Sequence, residues 1–409
     1  MIDQSIIYSD RRSFLKVKNG VHFLLMYHRT INILKNNSFF LFGARGTGKT
    51  KLLNTLFLPS EALFIDLLSG TDYLRFSTNP DEFKSVCIKS QKPWIVVDEI
   101  QKAPALLDTV HQLIESHGLL FALTGSSARK LRRGGANLLA GRAFVRELYP
   151  LTHVELGEDF ELQQTLEWGT LPRLFSLSDD GDKARFLDAY ALTYIKEEIS
   201  AEQIVRKLDP FVRFLEVAAQ SNTMLVNFSK IADDCGSSPK VVQTYFQILE
   251  DTLLGYLLPS YHQSFRKRQR VAPKFYFFDA GVVRALTRTV GQPIAPATFA
   301  YGKAFEHFII TELMRLNSYY EKRFSFSYLR TKDDAEIDLI IERPGMPRIA
   351  LEIKSSARLS DRDVSTLQRF REELTNTECF CLSQETRPRR IGAIDIEPWQ
   401  AGIKRVLGL

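Results

Sequence analysis

Short apolar runs alternate with amphipathic segments between residue 38 and about residue 149. Strands that alternate with helices are typical of a doubly wound parallel sheet. We therefore predict an α/β core here, preceded by a helical lead-in over residues 1–37. The predicted strands are apolar throughout, as parallel strands covered on both faces are, and occupy residues 39–42, 63–65, 94–97 and 119–123.

Helical periodicity replaces this pattern from about residue 153 to residue 220, where aromatic residues recur every four positions. This stretch is predicted to form a helical lid. Residues 222–290 then indicate two short helices, a turn at 236–239, a longer helix and two strands. Helices joined by a turn and followed by a hairpin are typical of a winged helix.

A segment with prolines and glycines, residues 291–296, separates the winged helix from a last unit. The pattern of that unit predicts helix, strand, strand, strand, helix, strand. A chain of 409 residues is long enough for several domains. The predicted division is a core with its lead-in, a helical lid, a winged helix and a C-terminal α/β domain, over residues 1–152, 153–220, 221–290 and 298–409.

The composition, with 44% hydrophobic and 25% charged residues, is ordinary for a folded globular protein. The apolar runs fall far short of the roughly 20 residues that a membrane span needs, and the N-terminus shows no export signal. We therefore expect no membrane partner and a cytoplasmic location. The four cysteines form no CxxC pair and the histidines no HExxH, so we expect any metal ion to be held by oxygen ligands.

A net charge of +6 is too small by itself to indicate a nucleic-acid partner. The basic residues are nevertheless concentrated in three runs, at 129–133, 266–270 and 387–390. Such runs are often only solvated surface. The run within residues 264–270 lies where the predicted hairpin would project, so it could contact DNA phosphates without reading the base sequence.

A phosphate-binding loop follows the first predicted strand, where the chain matches GxxxxGK[ST] and then becomes helical. Glycines let the backbone amides point toward phosphates, the lysine neutralises phosphate charge, and the threonine hydroxyl can bind Mg²⁺. The residues predicted to bind the nucleotide here are Gly43, Ala44, Arg45, Gly46, Thr47, Gly48, Lys49 and Thr50.

Two acids, Asp98 and Glu99, end the apolar run 94–97. Beside a phosphate loop this pair indicates hydrolysis. We expect Asp98 to hold Mg²⁺ together with Thr50, and Glu99 to act as the general base on the attacking water. Simple capping of the strand end is the alternative interpretation.

Through residues 43–50 and 98–102 the chain resembles the AAA-type ATPase superfamily, which implies ATP and Mg²⁺ as cofactors. Residues 123–127 resemble the strand end where that superfamily places a polar sensor, here Thr124 or Ser126. The resemblance also implies a homo-oligomer in which an arginine meets the γ-phosphate of a neighbouring subunit. Arg142 is the predicted arginine, with Arg129 as competitor and a surface ion pair as the alternative role for Arg142.

Carboxylates and a lysine alternate along two predicted strands near the C-terminus, 336–341 and 350–354, joined by a turn at 343–347. Alternation places Glu336 and Asp338 on one face, and likewise Glu352 and Lys354. Aligned faces would cluster these groups into an oxygen site for Mg²⁺, which could activate water for phosphodiester hydrolysis. Lys354 would orient the water or stabilise the transition state. Glu306 on the preceding helix could complete the metal shell. The alternative interpretation is an exposed hairpin of mixed charge.

The set Glu306, Asp338, Glu352 and Lys354 resembles the PD-(D/E)XK nuclease superfamily, although no Pro-Asp pair precedes Asp338. The resemblance implies that the three acids hold Mg²⁺, or Mn²⁺ in its place. It also implies a helix followed by a three-stranded hairpin sheet and another helix.

Over nearly its full length the chain resembles a prokaryotic family of predicted ATPases with a C-terminal domain of unknown function. We thus expect an α/β protein with a P-loop AAA-type core, a helical lid, a winged helix and a restriction-endonuclease-like domain. The expected function is an ATP-hydrolysing, largely nonspecific DNA-binding protein whose metal-dependent nuclease is controlled by nucleotide state. Defence against foreign DNA is a setting suggested by analogy alone, and a regulatory scaffold whose nuclease-like domain does not cut is the alternative.

Overall fold

The computed structural model describes residues 27–126, 139, 141–194, 208–261, 271–331, 333 and 335–409. The predictions that concern Arg129, the run 129–133 and the run 264–270 lie outside these residues. None of the helices in the described ranges is both long enough and apolar enough to cross a membrane.

The N-terminal unit is a five-stranded parallel sheet with the strand order β2-β3-β4-β1-β5. Alternate residues of β1 enter two separate apolar cores, one on each face of the sheet. This double burial explains why the strands are apolar throughout, and the predicted α/β core is confirmed. The strands are β1 (Ser38–Phe42), β2 (Ala62–Asp66), β3 (Trp94–Asp98), β4 (Leu120–Gly125) and β5 (Ala143–Glu147); the helices are α1 (Lys49–Leu56), α2 (Gly70–Thr78), α3 (Pro80–Lys89) and α4 (Leu106–His117).

The segment before the sheet, residues 27–37, contains no helix, so the predicted helical lead-in is wrong for these residues. Long-range contacts fix this segment instead. The backbone amide of Thr30 and the side chain of Arg29 both donate to the buried carboxylate of Glu155, at 2.7 and 3.0 Å. A pattern confined to the segment carries no sign of an acceptor more than a hundred residues away.

A helical region with one small hairpin follows the sheet. Its apolar core is continuous from Trp168 to Leu286, so the predicted lid and winged helix share one core. The elements are α5 (His153–Leu156), α6 (Leu162–Trp168), α7 (Asp180–Ala189) with a π-helical turn (Tyr190–Tyr194), α8 (Leu208–Gln220), α9 (Phe228–Cys235), α10 (Pro239–Asp251), the antiparallel strands β6 (Gly255–Leu258) and β7 (Lys274–Phe277), and α11 (Ala280–Leu286).

Two glycines allow this region to close on itself. A Cβ at Gly281 would lie 2.0 Å from the carbonyl oxygen of Trp168, and one at Gly169 would lie 2.1 Å from a carboxylate oxygen of Asp279. That carboxylate caps α11 and accepts a hydrogen bond from the amide of Thr170 at 2.7 Å. The chain after α6 is thereby held against the start of α11.

The C-terminal unit is a mixed six-stranded sheet with the order β12-β13-β11-β10-β9-β8. The predicted helix and three antiparallel strands are present, but β12, β13 and the last helix were not predicted. The elements are α12 (Phe299–Tyr319), β8 (Ser325–Arg330), β9 (Glu336–Glu342), β10 (Arg348–Ile353), α13 (Ser365–Arg371), β11 (Thr377–Ser383), β12 (Arg389–Ile391), β13 (Ile394–Pro398) and α14 (Trp399–Leu407).

Candidate nucleotide site and C-terminal acidic pocket

The loop of residues 43–50 leaves the end of β1 and enters α1. Gly46 and Gly48 have φ angles of 80° and 96°, in the left-handed region that favours glycine. The Lys49 side chain is buried, and its Nζ donates to the carbonyl oxygens of Gly43 at 2.7 Å and Ala44 at 3.4 Å. The ammonium group therefore lies inside the curl of the loop, where it could meet phosphate oxygens.

The carboxylate of Asp98 joins this loop to the strand ends. The Thr50 hydroxyl donates to Asp98 Oδ2 at 2.7 Å, and the Thr124 hydroxyl donates to the other oxygen. A hydroxyl and a carboxylate beside a phosphate loop are a donor set that suits Mg²⁺, whose remaining ligands are commonly water and phosphate. Thr50 and Asp98 thus fit the predicted magnesium position.

Glu99, the predicted general base, has a φ of 59°, a strained backbone conformation that is concentrated at functional sites. Its carboxylate accepts a hydrogen bond from Nε2 of the buried Gln101, which also donates to the Ser126 hydroxyl at 3.3 Å. The two sensor candidates therefore differ in their contacts, since Thr124 binds Asp98 and Ser126 binds Gln101. We call residues 43–50 with Asp98 and Glu99 the nucleotide site.

Arg142 directly precedes β5. β5 runs parallel to β1, and Ala143 pairs with Ser38 at the start of β1. Arg142 therefore lies at the amino ends of the strands, whereas the phosphate loop lies at their carboxyl ends. It forms an ion pair with Glu115 of α4. Arg142 is therefore not part of the nucleotide site of its own chain.

Two residues that the sequence interpretation missed hold the phosphate loop from outside the sheet. Arg29 donates to the carbonyl oxygen of Thr47 at 2.7 Å, and the Tyr190 hydroxyl donates to that of Arg45 at 2.6 Å. The guanidinium of Arg29 also reaches the hydroxyl of Tyr319 on α12 at 2.9 Å. No local motif marks these residues, because each contact joins distant parts of the chain.

The predicted nuclease residues come together at one end of the C-terminal sheet. α12 supplies Glu306, β9 supplies Asp338, β10 supplies Glu352, and Lys354 follows β10 directly. Lys354 Nζ donates to Glu352 Oε1 at 2.6 Å, and Asp338 accepts a hydrogen bond from the amide of Ile353 at 2.8 Å. Glu306, Asp338 and Lys354 line a cavity of about 460 Å³. We call Glu306, Glu336, Asp338, Glu352 and Lys354 together the acidic pocket.

Lys274 enters the acidic pocket from β7 of the helical region and was not predicted there. Its Nζ forms an ion pair with Glu336 and lies 3.4 Å from Glu306. Tyr276, two residues along β7, donates its hydroxyl to Glu306 at 2.7 Å. A single buried lysine in an apolar strand was the only sequence signal for this contact.

Burial dominates the electrostatics of the pocket. It raises the pKa of Glu306 to about 7 and that of Glu352 to about 8, and it also raises the pKa of Asp338. Burial alone would lower the pKa of Lys274, but the neighbouring carboxylates outweigh burial and raise it. The carboxylates thus lie close together in a buried site, and the ammonium groups of Lys274 and Lys354 compensate their charge.

The arrangement does not fit the divalent ion predicted at Glu306, Asp338 and Glu352. Within the described residues, no three Asp, Glu, His or Cys side chains are grouped so that they could hold a metal ion. The reason lies in Lys274 and Lys354, whose ammonium groups pair with the carboxylates and provide the positive charge that was expected from the metal.

Comparison with known protein families divides the chain into three matched parts. Residues 35–157 match an AAA domain. Residues 159–292 match a domain of unknown function, DUF8612, and residues 301–400 match another, DUF4143. The first match and the loop geometry together define an AAA core of the P-loop ATPase class. The second match spans both the predicted lid and the predicted winged helix, in keeping with their shared core.

Similar proteins are known in bacteria and archaea. An uncharacterized protein of Mycobacterium tuberculosis is 25% identical over 322 residues, which cover 78% of this chain and 70% of that protein. An uncharacterized protein of Methanocaldococcus jannaschii is 22% identical over 391 residues, with 82% and 79% covered.

Two solved structures are distantly similar. The replication initiator DnaA bound to AMPPCP and single-stranded DNA is 16% identical, with a TM-score of 0.28 and coverage of 52% of this chain and 82% of that one. The Aeropyrum pernix ORC1 protein in complex with DNA is 13% identical, with a TM-score of 0.24 and coverage of 62% and 87%. Similarity at these TM-scores does not indicate a shared function.

Proposed function

We propose that this chain binds ATP with Mg²⁺ and hydrolyses it at the nucleotide site. The observation that carries the proposal is the contact of Thr50 with Asp98 beside a curled loop that contains the buried Lys49. Lys49 and the loop amides would neutralise the phosphates, and Glu99 would accept a proton from the attacking water. Thr50 and Asp98 would hold the Mg²⁺, which supplies charge stabilisation for phosphoryl transfer.

Substitution of Lys49 tests this assignment. Lys49→Ala is expected to lose ATP turnover and to weaken binding of a fluorescent ATP analogue, because phosphate charge is no longer neutralised. Lys51→Ala is the matched control, since Lys51 is an exposed lysine on the same helix. Turnover by Lys49→Ala at the wild-type rate would place ATP hydrolysis elsewhere.

We propose further that the chain acts as a homo-oligomer in which Arg142 serves the nucleotide site of a neighbouring copy. Support comes from the position of Arg142 at the amino ends of the strands, away from the phosphate loop of its own chain. Neither Arg142→Ala nor Glu99→Gln should hydrolyse ATP alone, but a mixture of the two should regain activity, since mixed neighbours contain one complete site. A mixture that stays inactive would contradict this role for Arg142.

DNA is the proposed partner, bound largely without sequence preference through a winged helix formed by α9, α10 and the hairpin β6–β7. Arg266, Lys267 and Arg268 lie between β6 and β7 in the sequence and are expected to contact phosphates. Charge reversal at these three residues should weaken duplex binding and reduce its dependence on salt, measured by fluorescence anisotropy. Binding that charge reversal leaves unchanged would exclude this surface.

We also propose, as the finer assignment, a metal-dependent nuclease at the acidic pocket that nucleotide state controls, with Lys354 beside the water. Glu306, Asp338 and Glu352 would hold its metal ion only if the ion pairs with Lys274 and Lys354 were broken. Its support is that Glu306, Asp338 and Lys354 line one cavity, which Lys303 and Arg330 also line. The ion pairs of Lys274 favour the second candidate, a nucleotide-dependent scaffold that binds DNA or protein partners without cutting.

Supercoiled plasmid separates these two candidates. Wild type, Asp338→Ala and Lys49→Ala are incubated with Mg²⁺ or Mn²⁺, with and without ATP. Nicking that disappears in Asp338→Ala supports the nuclease, and its loss in Lys49→Ala would show nucleotide control. Nicking that persists in Asp338→Ala indicates contamination, and intact plasmid under every condition supports the scaffold.

A further inference from the structure

Two carbonyl groups of the phosphate loop accept hydrogen bonds from side chains that lie outside the parallel sheet. The Tyr190 hydroxyl donates to the carbonyl oxygen of Arg45 at 2.6 Å, and the Arg29 guanidinium donates to that of Thr47 at 2.7 Å. A glycine follows each of these carbonyls, at positions 46 and 48. The two side chains therefore bind alternate peptide groups of one loop.

A peptide group that is held at its carbonyl oxygen is also fixed at its amide. The peptide bonds of the loop are trans, and in a planar trans peptide the C=O and N–H bonds point in opposite directions. The amide of Gly46 therefore points away from Tyr190, and the amide of Gly48 points away from Arg29.

The two glycine amides remain available to a ligand. Among the described residues, no backbone carbonyl accepts a hydrogen bond from Gly46 or Gly48. Both glycines have the positive φ angles given above, and such backbone conformations can turn neighbouring N–H groups into a concave site for an anion. A Cβ on Gly46 would lie 3.4 Å from the Tyr190 ring, so the bound side chain lies against the outside of this turn.

Both donors are themselves held in place. Arg29 forms an ion pair with the buried Glu155 at 3.0 Å, and it also donates to the Tyr319 hydroxyl. Tyr190 is 1% exposed, packs against the ring of Phe278 and begins the π-helical turn, a feature that is frequent at functional sites. Donors that are already ordered need not be ordered when a ligand binds.

We propose that Tyr190 and Arg29 are positioning residues that turn the amides of Gly46 and Gly48 toward the phosphates of the bound nucleotide. The inference rests on the proposed function in one respect, because it takes the loop for the phosphate site. Neither side chain contacts the nucleotide, and each acts through one peptide group. Nucleotide affinity thus depends on a residue of the helical region and on a residue of the segment before the sheet.

Tyr190→Phe tests the first half of the inference, because it removes only the hydroxyl and keeps the buried ring. The KM for ATP should rise about 2- to 10-fold, the scale of one hydrogen bond, and a non-hydrolysable ATP analogue should bind more weakly by the same factor. The kcat should stay constant, because Asp98 and Glu99 are unchanged. Tyr301→Phe is the matched control, since it removes one hydrogen bond of another buried tyrosine, on α12, and should leave KM unchanged.

The amide resonances of the two glycines give a readout that a merely structural role would not change. In full-length protein labelled with ¹⁵N-glycine, a saturating ATP analogue should shift the amide signals of both Gly46 and Gly48. Tyr190→Phe should reduce the shift of Gly46 and keep that of Gly48. Arg29→Lys, which keeps a positive charge beside Glu155, should do the reverse.

The outcomes separate this inference from the proposed hydrolysis. A wild-type KM and a wild-type Gly46 response in folded Tyr190→Phe would overturn the inference, and so would a fall in kcat at constant KM. If Tyr190→Phe fails to fold, Arg29→Lys decides: a reduced Gly48 response supports the inference, and an unchanged one overturns it. Analogue binding that depends on Tyr190 without any ATP turnover would leave the inference intact and refute hydrolysis, whereas the absence of nucleotide binding in wild type would refute both.

Discussion

The nucleotide site and the acidic pocket are both built from carboxylates and lysines, but their parts come together differently. The nucleotide site lies at the carboxyl ends of parallel strands of one sheet. The parallel arrangement places these ends on the same side of the sheet. The acidic pocket takes groups from α12, β9, β10 and, through Lys274, from another unit. The strands of one sheet thus assemble the first site, whereas the second depends on the docking of a strand from another unit.

The two regions are connected through α12. This helix carries Glu306 at the acidic pocket and Tyr319 near its other end, where the Tyr319 hydroxyl accepts from Arg29. Arg29 in turn donates to the carbonyl oxygen of Thr47 in the phosphate loop. The phosphate loop and the helix that carries Glu306 are therefore linked through the side chain of Arg29.

The largest expected effect concerns the nucleotide site. Glu99→Gln should lower the rate of ATP turnover by about 10²- to 10⁴-fold, the usual contribution of a general base. Nucleotide binding should persist, because Thr50, Asp98 and Lys49 are unchanged. Single-turnover hydrolysis and equilibrium binding measure the two quantities, with Glu372→Gln, at an exposed position of the C-terminal unit, as a surface control. Equal rates in Glu99→Gln and wild type would remove Glu99 from this role.

The connection between the regions is tested by Arg29→Met, which leaves the buried carboxylate of Glu155 without its partner. Removing one member of a buried ion pair costs about 3–5 kcal/mol of unfolding free energy. Urea unfolding should show this loss, whereas Lys35→Met, which breaks the exposed pair with Glu61, should have no measurable effect. A small effect of Arg29→Met would mean that α12 and the loop are held together by other contacts.

Acid should destabilise the pocket side of α12 through His307. Burial lowers the pKa of His307 to about 4, and the ring donates to the carbonyl oxygen of Phe277 at 2.5 Å. Between pH 6.5 and 4 the unfolded chain protonates this histidine and the folded protein does not, so the contribution of His307 to stability falls as pH falls, by roughly 3 kcal/mol. Glu306 and Glu352, whose pKa values are raised, contribute with the opposite sign over the same range.

As pH falls over this range, the urea midpoint of His307→Gln should rise relative to that of wild type, because the variant lacks the unfavourable proton uptake of the unfolded chain. His117→Gln is the control, since His117 is exposed on α4. Identical slopes in His307→Gln and wild type would mean that His307 titrates alike in the folded and unfolded states.

The smallest expected effect concerns Gln101, which holds the carboxylate of Glu99. Gln101→Leu should lower kcat about tenfold with little change in KM, the scale of one hydrogen bond to a charged group. Gln112→Leu, at an exposed position of α4, is the control. An increase in KM at constant kcat would instead assign Gln101 to nucleotide binding.

The sequence by itself determined the parallel core, the phosphate loop and the positions of Asp98 and Glu99. These features depend on periodicity and on contiguous motifs, which the chain carries locally. It also identified the acids of β9 and β10, because alternation along a strand fixes which side chains share a face.

Only the tertiary structure decided how the buried charges are compensated. A desolvated charge must be paired, but its partner can come from any part of the chain: Lys274 for Glu306 and Arg29 for Glu155. The same reason accounts for the missing helix at residues 27–37, where contacts with Glu155 override local preference. It also explains why the acids of the pocket pair with lysines where the sequence analysis expected a metal ion.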